Sequence, residues 1–378
     1  MNLLRRKIEQ EIHEQGPIQF SRYMELCLYH PELGYYSRNT ERFGKAGDFY
    51  TSSDVHAVFG RLLARQFDEM WRALGSPESI ELVELGPGRG LFAQDVLDWS
   101  EKKFPYFFRA LRYVLVESSP ALRRRMNETL ARHFKSGKAG IAELDSIAQG
   151  EAPTIFFANE FFDALPVEIV STKGSLRIDT RDGHFFEMWV PASHEELEFL
   201  DRYSINPEPD ERVEVSLAAQ QFMDRITGRL QRGFVLAIDY GYTREEQLAG
   251  RHRGTLKAIR QHSVGDNPYE APGEQDITAD VNFTALAAAA EKHGMQTQKI
   301  ITQSQFLMGI GEGNQFADAF EECRLPQERA KVALQLKHLV TPAGMGESFH
   351  VLIASKGVEQ ERIDGLSGLS FGRKRRCV

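Results

Sequence analysis

From residue 80 onward two textures alternate along the chain. Short, almost continuous apolar runs lie at 80–85, 113–117, 154–158, 234–239 and 349–355. Between them, apolar positions recur at helical spacing over 91–103, 122–134 and 216–231. A strand that is apolar on both faces must be covered on both, and strands separated by helices are joined by crossovers. Together these features predict an α/β fold with a parallel sheet between layers of helices. Two stretches break the rhythm. Residues 167–190 alternate polar and apolar, with Lys173-Gly174 and Asp182-Gly183 at turn positions, which predicts an inserted β-hairpin or meander. Residues 306–339 read as helical and predict a second insertion before the last strand.

Residues 1–75 look mostly helical, with Leu3, Ile8 and Ile12 on one stripe and a first helix ending before Gly16-Pro17. Within them the segment HPELGYYSRNTERFGKAGDFYTSS, residues 30–53, is too irregular for a helix and too aromatic for a free linker. A long non-periodic segment inside a domain predicts a functional loop. The expected organisation is a helical cap region over 1–75 and a core over 76–364 with insertions at about 167–215 and 303–345. A disordered basic tail is expected over 365–378, ending GRKRRCV.

Composition narrows the function classes. A chain of 378 residues, 42% hydrophobic and 26% charged, can bury a large core without staples. Its net charge of -8 disfavours a nucleic-acid partner. The three cysteines, Cys27, Cys323 and Cys377, form no C-x-x-C, and the 11 histidines form no H-E-x-x-H, so no metal is expected. No apolar run reaches the roughly 18–20 residues of a membrane span. Glu9, Glu11 and Glu14 speak against a transit peptide. A reducing cytoplasm is the simplest location, with an organelle matrix left open.

Candidate chemistry begins at residues 80–97, IELVELGPGRGLFAQDVL. A glycine loop between a strand and a helix sits where ligands bind in open α/β sheets, with free N–H groups of the helix facing them. The loop lacks the Lys-Ser/Thr pair of a P-loop, and Leu91 stands where a dinucleotide fingerprint needs its third glycine. The pattern is G-x-G-x-G with Glu84 two residues ahead, which resembles the first motif of class I S-adenosylmethionine (SAM) methyltransferases; a plain structural turn is the alternative. Glu117 ends the next strand, YVLVE, where a carboxylate can accept both hydroxyls of a ribose or simply be solvated. Asp145, after a possible strand at 140–142, could reach an adenine edge or serve no ligand at all. Two other matches fail on context. GLSFG at 368–372 lies in the tail, and GIGEG at 309–313 follows a helical segment and reads as a helix–helix connection.

The fourth strand and its continuation, IFFANEFFDALPVEIV at 155–170, resemble the N-E-F-F-D-A-L-P-V signature of the MidA-like methyltransferase family. HPELGYY, GDFYTSS, ELGPGRG, VESSPALR, IDYGY, PGEQDITADVNF and MGESFHVL follow the same family in order, over nearly the whole chain. Two positions depart from it: Ser53 replaces a frequent Pro, and Asp280 a frequent His. The resemblance implies a seven-stranded Rossmann-like class I sheet with an N-terminal helical cap and inserted elements. It implies SAM as cofactor, held by Glu84, Gly86, Gly88, Gly90 and Glu117, with Gly47, Asp48, Thr51 and Ser52 closing the cap over it. It also implies a protein substrate, since the family includes an assembly factor of respiratory complex I that methylates an arginine.

A guanidinium acceptor is charged and a poor nucleophile, so carboxylates must orient it and take up a proton. Glu160 and Asp163, three apart just past the fourth strand, are the best pair, with Asn159 as an orienting amide. The structural alternative is that Asn159 and Asp163 cap the following turn. Asp239 and Tyr240 are expected to support them, and His56 is a lesser candidate base. Two other functions compete with protein arginine methylation: a small-molecule O- or N-methyltransferase with the aromatic loop as pocket, and a non-catalytic SAM-binding assembly chaperone.

Overall fold

The computed structural model of the chain describes residues 2–37, 57–147, 152–260, 263–265 and 267–371. The chain groups into two units. The first comprises Met1–Phe49, Glu160–Arg225 and Asp239–Lys292; the second comprises Tyr50–Asn159, Ile226–Ile238 and His293–Val378.

Seventeen strands follow one another along the described residues. They are β1 (Ile18–Gln19), β2 (Ile80–Leu85), β3 (Leu111–Val116), β4 (Ala139–Ile141), β5 (Thr154–Asn159) and β6 (Glu168–Ser171). Next come β7 (Gly174–Arg181), β8 (His184–Val190), β9 (Val213–Val215), β10 (Gly233–Tyr242), β11 (Lys257–Arg260) and β12 (Ser263–Gly265). The last are β13 (Asp276–Thr278), β14 (Val281–Asn282), β15 (Gln296–Thr297), β16 (Ile301–Thr302) and β17 (Phe349–Lys356).

The second unit is built on a sheet whose main path runs β15-β17-β10-β5-β2-β3-β4, with β16 paired to β17. Strands β10, β5, β2, β3 and β4 run parallel to one another. Their apolar runs are buried on both faces: Leu82, Val83, Ile155, Phe157, Leu236 and Ala237 are all fully enclosed. Phe157 stacks on Phe92 of helix Leu91–Lys103 at 4.7 Å and meets Phe67 of helix Ala57–Ala73 edge-on at 5.4 Å. The two helices touch so closely that a Cβ on Gly60 would lie 2.6 Å from Cβ of Asp95. This packing assigns helix Ala57–Ala73 to the second unit, so the expected cap region over 1–75 does not hold together as one piece. Register sets the height of the sheet's carboxyl edge: Leu85 pairs with Val116 on one side and Ala158 on the other, and Asn159 pairs with Ile238.

The first unit has two antiparallel sheets. One runs β1-β7-β6-β9 with β8 on β7, and the other runs β12-β11-β13. The expected meander at 167–190 is β6 to β8. Helices Leu3–Gln15 and Phe20–Tyr29 close this unit's core with Leu4, Ile8, Ile12, Phe20, Tyr23, Leu176 and Ile178. The first helix begins where the Asn2 side chain accepts the Leu4 N–H at 2.9 Å and ends at Gly16, whose φ is 84°. Its buried stripe is Leu4, Ile8 and Ile12, at steps of four; Leu3, placed on it from the sequence, is 61% exposed.

Three local readings change. The helix expected over 122–134 is two helices, Pro120–Thr129 and Ala131–Lys135; Ser119 caps the first and Pro120 fits its first turn. Residues 309–313 are no connection, because helix Gln303–Glu312 runs through Gly309 and Gly311. The glycines there admit neighbours: a Cβ on Gly309 would lie 2.5 Å from the Ser367 carbonyl, and one on Gly311 would lie 2.1 Å from the Phe316 ring. The third change concerns the tail expected from residue 365. Leu366 is 1% exposed, the Ser367 N–H donates to Glu69 at 2.8 Å and the Gly368 N–H to Gln66 at 2.9 Å, so the chain is packed through a turn over Ser367–Leu369.

This contact yields a prediction. Gly309→Val should lower unfolding free energy by about 1–3 kcal/mol, because the new side chain meets backbone and not a flexible side-chain end. Urea unfolding measures it; an unchanged midpoint would mean the 367–369 turn contributes nothing to the fold.

Candidate functional site

In the second unit β2 delivers Glu84 and the glycine loop to the sheet's carboxyl edge. Gly86, Gly88 and Gly90 have φ values of 65°, 55° and 76°, so every second residue lies in the left-handed region that glycine tolerates. The Gly86 N–H donates to the Val116 carbonyl at 3.0 Å, and the Gly90 N–H to the Pro87 carbonyl at 2.9 Å. A Cβ at Gly90 would also press on Leu130 at 3.0 Å, whereas one at Gly88 would meet nothing within 4 Å. There is thus space for a ligand beside Gly88, while its own N–H acts on Glu117. Gly90 caps helix Leu91–Lys103 with no side chain, which leaves the first-turn N–H groups and the positive helix end available to an anion.

Two carboxyls are buried beside this loop. Glu84 is 5% exposed and accepts a hydrogen bond from the Tyr113 hydroxyl at 2.8 Å. Burial pushes its carboxyl up to about 8; the Tyr113 hydrogen bond opposes this and nearby Glu117 adds to it. Glu117, 8% exposed, accepts the Ser119 N–H at 2.8 Å. Burial pushes it up to about 7, against backbone N–H groups of Ser119, Ser118 and Gly88 and the charge of Arg123. Asp145 stands apart from these: its side chain is 70% exposed and pairs with Arg229 at 2.6 Å.

The first unit holds the second constellation. Asp239 is fully buried. Its Oδ2 accepts the N–H groups of Phe161, Phe162 and Asp163 at 3.0, 2.9 and 3.2 Å, and its Oδ1 accepts that of Tyr240 at 2.9 Å. This carboxylate caps the turn after β5. Glu160 enters the turn at φ 49°, a left-handed conformation that a side-chain-bearing residue adopts at a cost. Asp163 is 6% exposed and Asp276 4% exposed. Asp276 accepts the Tyr36 hydroxyl at 2.9 Å. Burial raises the Asp163 carboxyl well above the ordinary range, and the charges of Asp239, Asp276 and Glu160 raise it further. Asp239 is raised by burial and by Glu160, against its backbone donors. Tyr240 is raised by burial and by the same carboxyls.

Four carboxyls therefore share one buried region, and each charged neighbour that leads the Asp163 shift is another carboxyl. Such a group concentrates negative potential and holds protons that an incoming cation can displace. Among the described residues no cluster of three or more His, Cys, Asp or Glu is arranged to hold a metal ion. No helix of the described residues is long and apolar enough to cross a membrane. Asp280, one of the departures noted above, is engaged by His252 and Lys257, each at 3.1 Å.

The structure thus brings Glu84, Glu117 and the three loop glycines together in one unit, and Glu160, Asp163 and Asp239 in the other. Asn159 is the last residue of β5 and half-buried. Gly47, Asp48, Thr51, Ser52 and His56 lie outside the described residues. Asp276 has no signal in the sequence beyond membership of the GEQDIT segment, and Tyr36 is expected there only as one of the aromatic residues that could line a small-molecule pocket.

A family model described as "Putative S-adenosyl-L-methionine-dependent methyltransferase" matches residues 62–301. A Danio rerio protein, "Protein arginine methyltransferase NDUFAF7, mitochondrial", is 30% identical over 88% of this chain and 82% of its own length. The Drosophila melanogaster homolog of that name is 29% identical over 97% of this chain and 88% of its own. Both names say mitochondrial, which lends no support to a cytoplasmic reading. A crystal structure from Burkholderia thailandensis, bound to S-adenosyl-homocysteine, superposes with a TM-score of 0.84 at 29% identity, covering 98% of this chain and 94% of that one.

The buried Glu84 makes stability depend on pH. Its folded value lies above the ordinary 4.5, so its contribution is fully present below about pH 4.5 and is lost as pH rises through about 8. Glu84→Gln should therefore raise the melting temperature of the ligand-free protein at pH 9 and leave it nearly unchanged at pH 5. Thermal scans at both values test this; equal effects at the two pH values would contradict it.

Proposed function

Because the chain belongs to the family of S-adenosyl-L-methionine-dependent methyltransferases, we propose that its acceptor is the guanidinium of an arginine in a protein partner. The observation that carries this reading is the cluster of half-buried Glu160 with buried Asp163, Asp239 and Asp276, whose summed charge favours a cation. The printed names of the Danio rerio and Drosophila melanogaster relatives agree with it. On the family resemblance, the partner is a subunit met during assembly of a respiratory or similar complex.

The residues that fit the cofactor are those of the second unit's sheet edge. We assign its amino-acid carboxylate to the first-turn N–H groups of helix Leu91–Lys103, beside the space at Gly88, its ammonium to Glu84, and its ribose hydroxyls to Glu117. A role for Asp145 at the adenine would require exchange of its Arg229 pair. In this reading the sheet is the Rossmann-like class I core, and, on the family resemblance, Gly47, Asp48, Thr51 and Ser52 close an N-terminal cap over the cofactor. Bound SAM supplies an electrophilic methyl on a sulfonium.

Glu160 and Asp163 perform the rest. Their carboxylates fork onto the guanidinium, localise its charge away from the attacking nitrogen and hold it in line. As the N–CH3 bond forms and the S–CH3 bond breaks, one of them takes the proton that leaves that nitrogen. Asn159 orients the same group through its amide.

The test is transfer of labelled methyl from SAM into a lysate of cells that lack the protein. The expected result is base-stable label on one protein band, reduced roughly a hundredfold or more by Glu160→Gln and by Asp163→Asn. Label confined to small molecules would replace this reading with a metabolic methyltransferase; SAM binding without any label would replace it with an assembly chaperone.

A further inference from the structure

Two residues of the acid cluster have no part in the mechanism above: Asp276 and the tyrosine that binds it. The turn after helix Phe20–Tyr29 is built to present that tyrosine. A Cβ on Gly34 would lie 2.5 Å from the His30 nitrogen and 2.7 Å from the Leu28 carbonyl, so the turn closes only on glycine. The Tyr35 and Tyr36 N–H groups donate back to Cys27 and Leu28 at 2.9 and 3.0 Å. The Tyr36 ring is held edge-on by Tyr35 at 5.2 Å and tilted against Tyr29 at 5.5 Å. Tyr29 donates its hydroxyl to the Ala164 carbonyl at 2.9 Å, one residue beyond Asp163, while Tyr36 donates to Asp276. One tyrosine pair therefore fixes the cluster at two points, the backbone after Asp163 and the carboxylate of Asp276.

The geometry points to Tyr36 as a positioning residue for methyl transfer: its hydroxyl keeps the Asp276 carboxylate ionised and aimed beside Asp163, where the guanidinium binds. This rests on the arginine reading of the site.

The physical reason is competition for charge. Four carboxyls in one buried region cannot all ionise, and a hydrogen bond donated to the ionised form selects which of them do. Asp239 is selected by four backbone N–H groups. Asp163 has the Ala164 N–H, against three carboxyl neighbours. Asp276 has the phenol. Among the described contacts, Tyr36 and Asp163 face it, with Tyr29 and Tyr35 around the phenol. On β11, whose Ile259 pairs with Asp276, the cations Lys257 and Arg260 are held by Asp280 and Glu274 at 3.1 and 3.0 Å. The phenol is thus a neutral donor that secures a negative charge without adding a positive one, and the cluster keeps its attraction for an incoming cation.

Tyr36→Phe keeps the ring and removes the donor. Two readouts on the full chain, followed from pH 6 to pH 9, test it: methyl transfer into the labelled protein band, and titration of ethylguanidinium into protein loaded with S-adenosyl-homocysteine. Because the hydroxyl favours the ionised form, its loss moves the acid limb of both profiles upward. The expected result is a roughly tenfold deficit near pH 6.5 that closes by pH 9, with S-adenosyl-homocysteine affinity unchanged. Asp276→Asn should show the same deficit without recovery at pH 9. A deficit of equal size at every pH, or none, overturns the role of Tyr36 while leaving arginine methylation standing. A wild-type protein that neither labels a protein nor binds ethylguanidinium overturns the arginine reading itself, and the Tyr36 role with it.

Discussion

The first unit's chemistry depends on a single carboxylate. Asp239 accepts three successive N–H groups, those of residues 161, 162 and 163, on one oxygen, and the N–H of residue 240 on the other. Three donors can converge on one oxygen only if the backbone curls around it, and that curl puts Glu160 at φ 49°. A left-handed residue other than glycine persists only where its surroundings over-determine it. Here Asp239 is what over-determines it, and the direction of Glu160 follows. Position 239 is the first residue of β10 assigned to the first unit, and Glu160 is the first after β5, so the carboxylate at one re-entry of the chain into this unit binds the backbone just after the other.

Burying so many carboxyls is costly. Glu84, Glu117, Asp163, Asp239 and Asp276 are each less than a tenth exposed. Elsewhere in the chain some buried acids meet cations, as Asp318 meets Arg65, while Glu196 and Glu214 are held by hydroxyls and backbone N–H groups. At the site the described hydrogen-bond donors are neutral, namely a phenol for Glu84, another for Asp276, and backbone N–H groups for Glu117 and Asp239. A neutral donor lowers the desolvation penalty without cancelling the charge. The field left over is what a cationic ligand meets.

How far the sequence discloses this depends on the range over which each signal acts. Strand β2 and helix Leu91–Lys103 are legible residue for residue, because a doubly buried strand and a glycine-started helix are written in neighbouring positions. The alternate glycines are legible for the same reason: each answers to its own φ. The break at Leu130 is not legible, since the apolar spacing continues across it and only the Ser119–Pro120 start shifts the frame. Gly309 and Gly311 mislead because their partners, Ser367 and Phe316, lie outside any periodic pattern. Glu160 and Asp163 are found from a contiguous motif. Asp276 and Tyr36 are not, because 240 positions separate them and no spacing rule spans that distance.

Both units solve one problem by the same means. In the second, the helix that follows the glycines starts without a side-chain cap, and in the proposed reading Glu84 and Glu117, raised by burial, meet the cationic and hydroxyl parts of one ligand. In the first, Asp239 spends its lone pairs on the backbone, and in the proposed reading Glu160 and Asp163 meet the acceptor. A carboxyl raised toward neutrality is the useful state in each case. It tolerates the empty site as an acid, gives up its proton when a positive charge arrives, and takes one back when that charge is lost in the reaction. A permanently ionised carboxylate paired with arginine could do none of these, which is why the cations of this chain are held elsewhere.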